Sequence, residues 1–110
     1  MIVYNVTVKI DHAAAGEWLT WMRREHIPAV VATGLFSGYR LMRIVEEDDA
    51  DGMTYAVQYA CPSKENFDRY LREHAADLQR AHRERYANRF VAIRTLMQVV
   101  EEQVLFASES

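Results

Sequence analysis

Residues 17–38 read EWLTWMRREHIPAVVATGLFSG and decide the fold of the chain. Apolar side chains recur in this stretch every three or four positions, which is the spacing of one helix face. Pro28 has no N–H group and disfavours helical angles at the residue before it. We therefore predict a helix over about residues 14–26, a bend or break, and one more turn ending near Thr33. Gly34 can adopt the left-handed conformation that closes a helix.

A histidine interrupts the apolar face of this helix. The face carries Leu19, Met22, His26, Ala29, Val30 and Thr33, and Trp18 and Trp21 form an adjoining stripe that we expect to be core. One interpretation is that His26 bonds a backbone group at the helix break. The other is that it lies on the wall of an apolar pocket and titrates near neutral pH. A metal ligand is disfavoured, because no second ligand occurs at metal-site spacing.

Four further stretches alternate apolar and polar residues, as half-buried strands do. They span residues 2–10, 38–47, 53–61 and 89–100. A second amphipathic helix begins after Ser63, a good N-cap, and runs to about Tyr86 or bends near residues 75–76. The resulting β-α-β-β-α-β order predicts a ferredoxin-like α+β domain. Its four-stranded antiparallel sheet has the order 4-1-3-2, with both helices on one face.

A chain of 110 residues is the size of one domain. We predict that the domain spans residues 1–106 and that residues 107–110 form a frayed tail. The net charge of −3 provides no basic surface for nucleic acid. A single cysteine, Cys61, allows no internal disulfide and fits a reducing compartment. The first residues do not resemble a signal peptide and no apolar run is long enough to span a membrane, so we expect a cytoplasmic protein without a membrane partner.

The two faces of the predicted sheet differ in polarity. The face expected under the helices carries Ile2, Tyr4, Val6, Val8, Val57, Ile93 and Met97. The opposite face carries Val3, Asn5, Thr7, Ala56, Gln58, Ala92, Arg94, Leu96 and Gln98. That set is more apolar than a solvated sheet requires, and two such faces can meet around a twofold axis. We therefore predict a homodimer through the open face, with the apolar residues 104–106 reaching across to the partner.

Motifs of well-known catalytic chemistry are absent from the sequence. It contains no glycine-rich phosphate loop, no G-x-S-x-G elbow, no CxxC and no HExxH. The acidic stretch 46–52 lacks the ligand spacing of a calcium loop, and the four histidines lack a compact metal spacing. We therefore expect neither a metal nor another cofactor.

Several segments together carry a family resemblance. They are MIVYNVTVKI, W-x-x-W-M, EHIPAVVATGLF, TYAVQY and FVAIRTLMQVV. Over nearly its whole length the chain resembles a small bacterial family catalogued as a domain of unknown function. The His-x-Pro that ends the first helix is similar to the dimeric α+β barrel superfamily. That superfamily includes muconolactone isomerases, cofactor-free monooxygenases, haem-binding chlorite dismutases and barrels without known chemistry. The resemblance brings no catalytic residue with it.

Three functions are compatible with these features. The first is a ligand-binding or structural homodimer without chemistry, whose ligand would be a small apolar molecule bound by Trp18, Trp21, Met22, His26 and His74. The alternative is a cofactor-independent enzyme of the isomerase or monooxygenase type, acting on a small apolar or aromatic substrate. In that case His26, Tyr55 or Tyr59 would be the acid or base. The third is a haem-binding barrel.

Overall fold

The computed structural model describes residues 1–45 and 50–104. Its strands are β1 (Ile2–Ile10), β2 (Gly38–Arg43), β3 (Met53–Cys61) and β4 (Phe90–Gln98). One helix connects β1 to β2, and a second connects β3 to β4. The sheet order is β2-β3-β1-β4 and every neighbouring pair is antiparallel. The ferredoxin-like α+β fold and the strand order 4-1-3-2 are thus confirmed.

Parts of three predictions lie outside the described residues. They concern the acidic turn at 46–49, the apolar residues 105–106 and the tail at 107–110. The predicted domain boundary at residue 106 falls in the same region and stays a prediction.

Of the bend or break predicted at Pro28, the break does not occur, because the helix continues through the proline. The helix runs as an α-helix over His12–Trp21, a π turn over Met22–His26 and an α-helix over Ile27–Val31. The residue before the proline keeps helical angles of φ −61° and ψ −45°, and its N–H bonds the carbonyl five residues earlier. A π turn widens the backbone locally and so makes room for the proline ring. It also alters the hydrogen-bond pattern there, so the missing N–H group of Pro28 costs less.

The ends of both helices follow the predicted signals. Gly34 has a φ of +78°, the left-handed conformation expected after the first helix. Ser63 caps the second helix, since its hydroxyl accepts a hydrogen bond of 3.1 Å from the N–H of Asn66. The second helix spans Lys64–Tyr70 and Ala76–Arg85 as α-helix, with a π turn over Leu71–Ala75 between them.

The core lies between the helices and one face of the sheet. Trp18 is fully buried, as predicted for this tryptophan. It packs with other large buried side chains from both helices and the two inner strands: Tyr4, Val8, Ile10, Ile27, Val57, Tyr59, Phe67, Tyr70 and Tyr86. None of the helices among the described residues is long and apolar enough to cross a membrane.

Strand β4 presents the opposite face to the one expected. Leu96 pairs with Tyr4 and Arg94 pairs with Val6, so both lie on the helix side of the sheet. The same register places Ile93 and Met97 on the open face. The prediction for β4 was wrong because the helices cover little of this edge strand. Burial therefore did not require the more apolar side chains of β4 to face the helices. The open face is therefore more apolar than predicted.

Candidate functional site

A pocket lies under the two helices, against the inner face of the sheet. Counting the solvent at its mouth, it encloses about 460 Å³ of space between atoms. Its lining combines aromatic and aliphatic side chains with a few polar groups: Tyr4, Val6, Val8, Met22, His26, Val30, Val57, Tyr59, Tyr70, Leu78, Gln79, His82, Ala92 and Arg94. Apolar walls with a few convergent polar groups are typical of sites for small molecules.

The pocket has a buried floor and an open side. Tyr4, Tyr59 and Tyr70 are buried and form most of the floor together with aliphatic side chains. Arg94, on edge strand β4, is exposed although it lines the same pocket. The mouth therefore opens along β4, where the helices cover the sheet least.

A hydrogen bond between the helices fixes one histidine of the pocket. The indole N–H of Trp18 donates to Nε2 of His82 over 2.8 Å. An imidazole nitrogen that accepts a hydrogen bond carries no proton, so neutral His82 must carry its proton on Nδ1. Because His82 is 6% exposed, this bond also satisfies a polar atom that would be costly to leave unpaired.

The second histidine stands next to the first. The ring centroids of His26 and His82 are 5.8 Å apart, and that of His26 is 4.9 Å from Trp21. Burial, with a smaller contribution from the Arg94 guanidinium, lowers the pKa of His26 to about 4. Burial, with smaller contributions from His26 and Arg94, lowers the pKa of His82 to about 4. Both rings are therefore neutral at pH 7.

The tyrosines of the floor stay protonated at neutral pH. Burial raises the pKa of Tyr59 and of Tyr70. Burial also raises the pKa of Tyr4, although the neighbouring Arg94 and Gln79 side chains oppose this rise. The three phenols can donate hydrogen bonds to a ligand, but they are poor bases.

A polar cluster behind the pocket holds Trp21 against His26. Glu17, on the first helix, accepts hydrogen bonds from the Tyr86 hydroxyl and the Arg85 guanidinium of the second helix. The guanidinium lies 5.4 Å from the centroid of the Trp21 ring. Burial and the bond to Glu17 raise the pKa of Tyr86 to about 12. The cluster thus links the two helices on the side away from the mouth.

The predicted site residues occupy different places. Met22, His26 and Tyr59 line the pocket. The two tryptophans lie behind its histidines, Trp18 as the donor to His82 and Trp21 as the neighbour of His26. Tyr55 packs on Trp18, with ring centroids 5.2 Å apart, and His74 lies half-buried beside Tyr70 and Glu73. Neither of the last two is part of the lining.

Sequence reasoning missed five polar or aromatic residues of the lining. They are Tyr4, Tyr70, Gln79, His82 and Arg94, and the sequence indicated them only as core or surface positions. A usable signal existed for His82, which follows His74 by eight residues on one helix face. For Arg94, the signal was a charge in the middle of an apolar strand.

Among the described residues, no group of three or more His, Cys, Asp or Glu side chains could hold a metal ion. The Arg94 guanidinium contributes to the lowered pKa of both histidines and repels cations from the same space. What the pocket offers chemically is two neutral imidazoles, three phenol groups and one fixed positive charge.

The chain belongs to the family described as Domain of unknown function (DUF4286), whose model matches residues 1–100. The resemblance expected from the sequence is thus confirmed. None of the curated proteins compared with the chain matches it.

Solved structures share the fold across almost the whole chain. A dimeric ferredoxin-like protein from an uncultured marine organism is similar with a TM-score of 0.72 and 7% identity, covering 93% of this chain and 97% of that one. The heme-degrader MhuD from Mycobacterium tuberculosis, with two hemes bound in its active site, is similar with a TM-score of 0.66 and 22% identity, covering 94% and 100%. SnoaB from Streptomyces nogalater, a cofactor-independent oxygenase, is similar with a TM-score of 0.64 and 18% identity, covering 92% and 95%.

Proposed function

We propose that this protein binds a small, largely apolar or aromatic molecule in the pocket under its helices, as one subunit of a homodimer. The observation that carries the proposal is the composition of the pocket. Its buried floor is aromatic and aliphatic, while two histidines, Gln79 and Arg94 converge on the same space. Apolar walls supply affinity through burial, and a few convergent polar groups orient the ligand.

Native mass spectrometry of protein purified without denaturation tests the proposal. We expect a bound small molecule that is released on unfolding. Ala92→Phe should abolish this binding, because Ala92 lines the pocket on β4 and a phenyl ring there would fill it. Ala76→Phe, at an exposed position of the second helix, is the matched control. Equal occupancy in both variants would contradict the proposal.

The homodimer rests on the open face of the sheet. Val91 and Ile93 are 66% and 63% exposed there, next to each other on edge strand β4, and Val3 and Met97 pair on the same face further along the sheet. Large apolar side chains side by side on a surface mark an interface, and a second copy presents the same patch around a twofold axis. Val104 is also exposed, beyond the end of β4, where it could reach a partner.

We also infer a cytoplasmic location. Cys61 is a free, buried thiol, which suits a reducing compartment. The net charge of −3 leaves no broad basic surface for nucleic acid. Cell fractionation with an epitope-tagged chain should recover the protein with cytoplasmic markers.

A second function, cofactor-independent proton abstraction, is favoured by the neutral His26 on the pocket wall. A neutral imidazole can accept a proton from an acidic C–H or O–H group, and Arg94 would stabilise the resulting anion. Of the candidate acid–base residues, Tyr59 is held in its protonated form by burial and Tyr55 lies outside the lining. His26 is therefore the residue assigned as the base.

Deuterium exchange measures this activity directly. 2-Tetralone has an acidic C–H group beside a carbonyl on a two-ring skeleton, and its exchange in D₂O can be followed by proton NMR. The protein should accelerate the exchange, His26→Gln should abolish the acceleration, and His74→Gln should retain it. Exchange at the uncatalysed rate with the wild-type protein would remove the enzymatic alternative while leaving the binding proposal intact.

A further inference from the structure

We propose that the ligand of this pocket carries a negatively charged oxygen, and that Arg94 binds it at the mouth. This inference rests on the proposed binding function and adds the chemical class of the ligand: a flat aromatic or conjugated molecule with one anionic group, such as a carboxylate, a phenolate or an enolate. Its ring system would occupy the floor, and its charge would face β4.

The charges of the pocket lining are not balanced. Arg94 is always positive at physiological pH, whereas both histidines of the lining are neutral. None of the described residues that line the pocket is an aspartate or a glutamate. The lining therefore has a net positive charge without a counter-ion of its own, which an anionic ligand would supply.

The positive charge of Arg94 lies where a ligand can reach it. Arg94 is exposed at the mouth, so its guanidinium stays hydrated while the pocket is empty and can pair with a ligand without being buried alone. Tyr4 and Gln79 line the same pocket as Arg94, and the Arg94 and Gln79 side chains oppose the rise that burial causes in the pKa of Tyr4. An oxygen anion at that point would meet a guanidinium, a phenol O–H and an amide N–H.

The lining is unfavourable for a cationic ligand. A cationic ligand would meet the Arg94 guanidinium, and no carboxylate in the described lining would attract it. A ligand without charge would leave the strongest polar group of the pocket unused. Only an anion uses both the aromatic floor and the charged mouth.

Three probes of matched shape separate these cases. 2-Naphthoate is an anion, 2-naphthamide is its neutral counterpart, and 2-(aminomethyl)naphthalene is a cation, all on the same two rings. Their affinities can be measured at pH 7.5 by titration calorimetry, with quenching of tryptophan fluorescence as a second readout. We expect 2-naphthoate to bind about tenfold more tightly than 2-naphthamide, the effect of one charge-assisted hydrogen bond at a partly exposed site. The cation should bind most weakly.

Variants assign the preference to its residue. Arg94→Met should reduce 2-naphthoate affinity to that of 2-naphthamide and leave 2-naphthamide affinity unchanged, which also shows that the variant is folded. Arg94→Lys should keep part of the preference, and Arg72→Met, on the exposed side of the second helix, should keep all of it. Equal affinity of wild-type protein for the anion and the amide would overturn the inference while the binding function stands. Failure of all three probes to bind would overturn both.

Discussion

The indole N–H of Trp18 and Nε2 of His82 form a hydrogen bond of 2.8 Å between the two helices. The two residues are 64 positions apart in the chain, and both are buried. This bond sets the tautomer of a pocket histidine and joins the elements that roof the pocket. It therefore connects the stability of the core to the chemistry of the site.

Trp18→Phe should destabilise the protein by about 2–4 kcal/mol, because it leaves His82 Nε2 unpaired and also removes ring volume. Trp21→Phe, at a half-buried position, should cost less. The double variant Trp18→Phe/His82→Phe should be destabilised by less than the sum of the Trp18→Phe and His82→Phe single variants, since it removes both partners of the hydrogen bond. Urea unfolding measures all of these free energies. Strict additivity would contradict a direct bond.

The neutral histidines make stability depend on pH. In the folded chain the pKa values of His26 and His82 are lowered to about 4, against about 6.5 when unfolded. Between these values the unfolded chain binds more protons, so the free energy of unfolding must fall as the pH is lowered from 6.5 towards 4. Below pH 4.5 Glu17, whose pKa is lowered mainly by its bond to Tyr86, adds a further loss.

Thermal unfolding between pH 7 and pH 4.5 isolates the histidine contribution. His82→Gln keeps an acceptor for Trp18 but does not titrate, so it should flatten the slope of melting temperature against pH. Phe67→Leu is the control, because it destabilises the buried core without changing a titrating group. A wild-type melting temperature that is constant over this pH range would refute the assignment.

Several elements were predictable from local sequence. Strands β1 and β3 have the predicted limits because strict alternation over nine residues leaves one register that buries the apolar side. Ser63 and Gly34 were predictable because capping and left-handed geometry depend on the residue itself. These features need no knowledge of distant contacts.

The remaining features depend on distant contacts. A proline after a helical stretch predicts a break, and only the backbone register shows that a π turn accommodates it at Pro28. His82 sits among Arg80, Arg83 and Arg85, so its sequence context is that of a solvated face. Its burial depends on Trp18 from the other helix. The contact between Trp18 and His82 therefore could not be predicted from the sequence alone.

Two glycine substitutions should change stability in opposite directions. Gly34 has a φ of +78°, so Gly34→Ala should destabilise the protein by about 1 kcal/mol even though its Cβ would have space. Gly16 lies inside the first helix, and a Cβ there meets nothing within 4 Å. Gly16→Ala should therefore stabilise by about 0.5–1 kcal/mol. Urea unfolding measures the change in the free energy of unfolding for both variants. Changes of the same sign would contradict the described helix end.

Charge on the open face should dissociate the dimer. Ile93→Glu places a carboxylate in the apolar patch, and burying it unpaired is costly, so light scattering should show a shift from twice the chain mass to one chain mass. Leu96→Glu is the matched control, because this residue is 41% exposed on the other face of the same strand. A dimer that survives Ile93→Glu, or dissociates equally with Leu96→Glu, would rule out this interface.

The central claim is that the pocket under the helices binds a small molecule, and histidine NMR tests it most directly. The chain has four histidines, of which His26 and His82 line the pocket while His12 and His74 do not. Long-range proton–nitrogen spectra at pH 7 should show His82 neutral with its proton on Nδ1. Saturating 2-naphthoate should shift the ring signals of His26 and His82 and leave those of His12 and His74 in place. Shifts confined to His12 or His74, or no shift at any histidine, would contradict the account.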